Sequence, residues 1–170
     1  MKFDKLSLSS DVFSKVWDLY RSSFPEDKQR SLGQQKELMN NKSYSLFGVS
    51  EDVFVGFIAV WDLKDFYFIE QMLILPIYQG MGFGTIVLSE LFPKDALVIL
   101  EVDIPKSIDD HRRISFYEKS HFRTISFEYL RPSYDKNKKP VKTHLMSRPT
   151  IDKKTFEKVK KTLYKEVYNK

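Results

Sequence analysis

Cysteine is absent from the 170 residues. That excludes disulfides, thiolate metal sites and a cysteine nucleophile, and it suits a reducing cytoplasm. Histidine is scarce, and His111, His121 and His144 are too scattered for metal-ligand spacing. No apolar run approaches the roughly 20 residues that a membrane span requires, so no membrane partner is expected. The opening residues Met1-Lys2-Phe3-Asp4-Lys5 carry an acid early and no apolar stretch, so no signal peptide is expected either. A cytoplasmic location follows as the expectation. What the chain does hold is core-forming material: 42% of residues are hydrophobic, with 14 Phe, 9 Tyr and 2 Trp. This composition is globular rather than disordered, and the length suits one domain with a real core.

The net charge of +5 is concentrated at the end, in lysines running from Lys136 to Lys170. Such a cluster can attract nucleic acid, anionic lipid or an anionic cofactor. A solvated helix face and a lysine-rich turn explain it more simply. Single-strand binders interleave basic residues with stacking aromatics, and only Tyr164 and Tyr168 are available there.

Periodicity and turn chemistry divide the chain. Residues 2–8 predict a short strand. Asp11 predicts a helix N-cap, with Val12, Phe13, Val16, Trp17, Leu19 and Tyr20 forming one apolar face before Pro25 breaks the helix. A second helix is expected over 31–40 with Leu32 and Leu38 inward. A hairpin follows, 44–49 and 53–61, turned at Ser50-Glu51-Asp52. A long strand runs from 66 to 75, and a helix from 85 to 92 is closed by Pro93. Residues 96–102 form a nearly continuous apolar run, as in a strand buried on both faces. A helix is expected over 109–120, strands over 122–130 and 143–146, and a polar turn over 133–140. Residues 1–149 are read as one domain. Residues 150–170 form a basic amphipathic helix, with Phe156, Val159, Leu163 and Val167 at helical spacing. Thr150 or Asp152 caps it, and it packs on the domain or on a twin subunit in a homodimer.

The most informative stretch is Gln79-Gly80-Met81-Gly82-Phe83-Gly84, between the predicted strand 66–75 and the helix 85–92. Alternate glycines let the backbone turn tightly with its N–H groups outward. With the positive end of the helix dipole they form an anion cradle, whose commonest occupant is phosphate. A P-loop needs Gly-x-x-x-x-Gly-Lys-Ser/Thr, and no such lysine follows. The dinucleotide fingerprint Gly-x-Gly-x-x-Gly also fails, because these glycines are spaced two and two.

The element order and two motifs resemble the GNAT superfamily of acyl-CoA-dependent N-acyltransferases. One is the family's Gln/Arg-x-x-Gly-x-Gly/Ala, met by residues 79–84. The other is Asn-x-x-Ala-x-x-Leu/Phe-Tyr-Glu-Lys-x-Gly-Phe, met in part by Asp110-His111-Arg112-Arg113-Ile114-Ser115-Phe116-Tyr117-Glu118-Lys119-Ser120-His121-Phe122. The departures are Asp110 for Asn, Arg113 for Ala and His121 for Gly. The resemblance covers residues 3–146. It implies an α/β (α+β) fold: a mixed, mostly antiparallel central sheet of about six or seven strands flanked by helices, with a splayed central strand pair and the C-terminal helix added.

The resemblance also implies an enzyme that transfers the acetyl group of acetyl-CoA directly to a primary amine of a small molecule or peptide. The acetyl-CoA pyrophosphate then lies on the backbone of Gln79, Gly80, Met81, Gly82, Phe83 and Gly84, with Gln79 positioning the loop or donating to phosphate. The pantetheine arm pairs with Met72, Leu73 and Ile74, and the N–H near Leu73 or Ile74 polarises the thioester carbonyl. Asp110 takes the cofactor-touching position of the family's Asn. Tyr117 is the acid for the leaving thiolate. For the base, Glu70 shares a strand face with Met72 and Ile74 and interrupts an apolar strand; Glu101 interrupts the next one. A catalytically silent CoA-binding protein and a basic nucleic-acid-binding module are the alternatives.

Overall fold

Strand β1 (Lys2–Lys5) is followed by helices α1 (Asp11–Ser23) and α2 (Leu32–Leu38), strands β2 (Tyr44–Glu51), β3 (Val53–Asp62) and β4 (Tyr67–Ile74), and helix α3 (Phe83–Glu90). Then come β5 (Val98–Asp103), α4 (Ile108–Lys119), β6 (Arg123–Thr124), β7 (Tyr129–Arg131), β8 (Val141–Arg148) and α5 (Lys153–Thr162). The structure, a computed structural model, describes residues 1–135 and 137–170; Lys136, in the polar turn expected over 133–140, lies outside the described residues. The fold is mixed α/β, mostly antiparallel, with eight strands and five α-helices among the described residues. The chain forms two compact units, Met1–Asp62 with Ile69–Lys94, and Leu63–Phe68 with Asp95–Lys170.

In the first unit the strands follow the order β1-β2-β3-β4. β1 pairs antiparallel with β2, and β2 with β3 from Tyr44↔Trp61 to Glu51↔Val53. The hairpin turns through Asp52 at φ 48°. β3 is buried from Val55 to Trp61, on both faces; on the face of Phe57, residues Phe13, Val16 and Tyr20 of α1 line a common cavity with Tyr44 and Leu46 of the sheet. Ser10, not Asp11, is the N-cap of α1; Asp11 is the acid of its first turn, where the helix dipole favours it. α2 is shorter than expected and opens on a capping box, Ser31 with Gln34. Its inward residue is Gln35 rather than Leu32, which is 40% exposed. Burial of a polar side chain there follows from Tyr44, whose buried hydroxyl accepts from Gln35 Nε2 at 3.1 Å.

In the second unit β8 is the shared partner. It pairs antiparallel with β5, from Val98↔Arg148 to Asp103↔Thr143, and with β6 and β7. Val98, Ile99 and Leu100 are at most 1% exposed. The strand expected over 122–130 is two short ones, because Phe127 packs against Phe156 of α5 with ring centroids 5.3 Å apart. Asp152 caps α5 by accepting from Thr155 N–H at 2.8 Å. The expected stripe Phe156, Val159, Leu163 and Val167 is buried, and so is Tyr168. The last turn, Leu163–Val167, is π-helical. Residues 150–170 belong to the second unit.

Candidate active site

The glycine loop lies in the first unit. After β4 a 3-10 turn, Pro76–Tyr78, leads through Gln79 to Gly80 at φ 80° and Gly82 at φ 86°, the N-cap of α3. Both conformations are left-handed and favour glycine. Gly84 falls inside α3, so only two of the three glycines shape the loop. Gly82 offers no side-chain acceptor to the first turn of α3, so that turn's N–H groups remain available to an anion. A Cβ placed on Gly80 or Gly82 meets no atom within 4 Å, so the space over the loop is open to a group the size of a phosphate. Gln79 positions the loop: its Nε2 donates to Ile74 O at 2.9 Å. Tyr78 braces it edge-on against Phe83, centroids 6.0 Å apart, while Ile77 and Met81 stand exposed at its rim.

On β4, Met72 and Leu73 are half-buried and Ile74 is buried. Gly56 of β3 lies against this segment so closely that a Cβ on it would stand 2.0 Å from Leu73 O. Only glycine admits the approach. Glu70 sits upstream with both oxygens engaged. Oε1 accepts from Arg30 Nη2 at 2.7 Å and Oε2 from Trp61 Nε1 at 2.7 Å, and the carboxylate is 2% exposed. The Arg30 backbone N–H donates to the Tyr20 hydroxyl at 2.7 Å, and burial pushes the Tyr20 phenol up to about 12. Glu70 therefore ties the segment between α1 and α2 to the sheet.

The second unit holds Tyr117, Asp110 and Glu101. α4 begins with a capping box in which Ser107 Oγ accepts from Asp110 N–H at 3.1 Å. Asp110 Oδ2 accepts from the N–H groups of Lys106 and Ser107, each at 3.0 Å. Those bonds hold the Asp110 carboxyl below its usual range and give the aspartate at this position a capping task. α4 ends in a Schellman motif: Phe122 N–H donates to Tyr117 O and His121 N–H to Glu118 O, each at 3.0 Å, with His121 at φ 69°. The Phe122 ring meets Tyr117 edge-on at 5.9 Å, so the helix stop itself fixes Tyr117. Burial pushes the Tyr117 phenol up to about 12, so it stays protonated at neutral pH and can donate.

Glu101 lies on β5 beneath the C-terminal segment, its side chain 10% exposed. Arg131 Nε stands 3.6 Å from Oε1, and the Tyr168 hydroxyl donates to Oε2 at 3.2 Å. Burial pushes its carboxyl up to about 7, against the lowering effect of Arg131 and of the Tyr168 and Thr143 hydroxyls. The structure thus distinguishes the two carboxylates that interrupt apolar strands. Glu70 is held between two donors at 2.7 Å, whereas the contacts of Glu101 are longer and burial pushes its carboxyl up. Sequence reasoning missed Gly56, Arg30 and Tyr168. An isolated glycine within a strand pattern is a signal of close backbone approach; Arg30 and Tyr168 gave none.

The model of the Acetyltransferase (GNAT) family matches residues 11–122, and the chain belongs to that family. It is an acetyltransferase by that membership, and the expected mixed, mostly antiparallel sheet flanked by helices, with a C-terminal helix, is the observed one. No curated protein matches. Among solved structures, a protein assigned to the GNAT acetyltransferases from Bacteroides thetaiotaomicron is 27% identical. It covers 100% of this chain and 99% of its own, at a TM-score of 0.91. The ribosomal-protein-S18-alanine N-acetyltransferase of Escherichia coli (17% identity, 86% and 91% coverage, TM-score 0.58) shares the fold. So does an aminoglycoside 6'-N-acetyltransferase complexed with coenzyme A (18%, 89% and 100%, TM-score 0.60).

Proposed function

We propose that the protein transfers the acetyl group of acetyl-CoA directly to a primary amine, in the cytoplasm. The observation that carries the reading is the turn at Gly80 and Gly82, whose left-handed backbone and uncapped helix start suit a pyrophosphate. Residues 79–84 hold that group, and Met72, Leu73 and Ile74 pair with the pantetheine arm. The N–H near Leu73 or Ile74 polarises the thioester carbonyl. Asp110, at the position of the family's cofactor-touching Asn, caps α4.

In the transfer, the amine nitrogen forms a bond to the thioester carbon and the carbon–sulfur bond breaks. The amine's proton goes to a carboxylate, and the thiolate takes a proton from Tyr117. Glu101 suits the base better than Glu70, because its contacts to Arg131 and Tyr168 are longer, 3.6 and 3.2 Å, than the 2.7 Å bonds that Arg30 and Trp61 make to Glu70. Burial also pushes its carboxyl up toward working pH. Neighbours of the same fold are named for spermidine, an aminoglycoside and an alanine of ribosomal protein S18, and small-molecule and peptide amines are the acceptor classes proposed.

The test is CoA release from acetyl-CoA with spermidine, an aminoglycoside, an alanine-initiated peptide and free lysine. At least one amine is expected to support turnover, with kcat falling roughly 100-fold in Glu101→Gln and at least about tenfold in Tyr117→Phe. Binding of acetyl-CoA without turnover on any amine would leave the silent reading instead.

A further inference from the structure

The C-terminal segment bends where it reaches Glu101. α5 gives way to the π-helical turn Leu163–Val167, closed by Tyr168 N–H donating to Leu163 O at 3.2 Å. Residues five apart stand about 140° apart round an α-helix. The wider turn reduces that angle, so Tyr168 and Leu163 are both buried, 6% and 0% exposed. Such π turns recur at functional sites. Three contacts fix the result. The Tyr168 ring stacks on Tyr134, centroids 5.4 Å apart at 25°; the Tyr164 hydroxyl donates to Leu130 O; and the Tyr168 hydroxyl donates to Glu101 Oε2 at 3.2 Å.

We propose that Tyr168 is a positioning residue for Glu101: its hydroxyl holds the carboxylate in the oriented, ionised form that accepts the amine's proton. The inference rests on Glu101 as the base. It extends the working site to residue 168, well beyond the residues 11–122 that define the family. The other groups acting on Glu101 are Arg131 of β7, Thr143 of β8 and Asp103 of β5 itself, and Glu101 in turn raises the phenols of Tyr129 and Tyr164. Arg131 supplies the countercharge at 3.6 Å; Tyr168 supplies the directed hydrogen bond.

Tyr168→Phe removes the hydroxyl and keeps the ring. With the carboxyl of Glu101 observed by carbon-13 NMR, its titration midpoint is expected to rise by about half a pH unit or more. The acid limb of kcat/KM, measured with the amine that the acceptor panel selects, is expected to move with it. That is a roughly twofold loss near pH 7, growing to about threefold at lower pH, with recovery at high pH, and acetyl-CoA affinity unchanged by calorimetry. In a Glu101→Gln background the same substitution is expected to change nothing further. An unmoved midpoint, or a loss equal at every pH, overturns the role of Tyr168 alone. Wild-type turnover by Glu101→Gln, or no turnover with any amine, overturns the reading beneath it.

Discussion

Two glutamates interrupt apolar strands, and their surroundings give them different work. Burial raises Glu101 from an ordinary carboxylate value to about 7, so this group favours the folded state fully below the unfolded value. Its contribution is lost as pH rises through about 7. The effect amounts to about 3 kcal/mol across that range. Chemical denaturation at several pH values is expected to show wild type losing stability relative to Glu101→Gln between about pH 5 and pH 8. Glu70 behaves otherwise. Removing its charge in Glu70→Ala leaves Arg30 buried beside an empty position, and the expected cost is about 3 to 5 kcal/mol, read as a lower melting temperature. The sequence shows that both carboxylates break an apolar run but not which one is engaged. Their deciding partners, Arg30 and Tyr168, lie 40 and 67 residues away, and no local pattern links them.

At the scale of elements, the glycine loop and the helix carrying Tyr117 were legible because turn chemistry is local. Two glycines with positive φ and a helix stop at residues 120–122 are written in neighbouring residues. The split of 122–130 into β6 and β7 was not legible, since it depends on Phe127 reaching Phe156. The buried face of α2 was hidden because Gln35 answers Tyr44 rather than a hydrophobic stripe. His121 occupies at φ 69° the position where the family has glycine. His121→Gly is expected to stabilise by about 0.5 to 1 kcal/mol, seen as a higher melting temperature. Gly56→Ala is expected to destabilise by at least about 2 kcal/mol, because its Cβ would meet the Leu73 carbonyl. Weaker acetyl-CoA binding is expected with it, since Leu73 lies on the strand assigned to the pantetheine arm.

For the molecule as a whole, family and fold were readable from two short motifs and the element order, and the match over residues 11–122 agrees. The acceptor was not, because one fold hosts many acceptors. The basic C-terminal segment reads differently once its contacts are known. One face carries lysines, and the other delivers Tyr168 to a buried carboxylate. Acetyl transfer by this route requires acetyl-CoA to occupy the loop at Gly80 and Gly82, and isothermal titration with acetyl-CoA measures that occupancy. The prediction is one molecule bound per chain, with binding lost in a Gly82→Glu variant whose circular dichroism remains that of the wild type. A wild-type protein that binds no acetyl-CoA, or a folded Gly82→Glu variant that binds it equally well, would mean that the loop does not hold the cofactor.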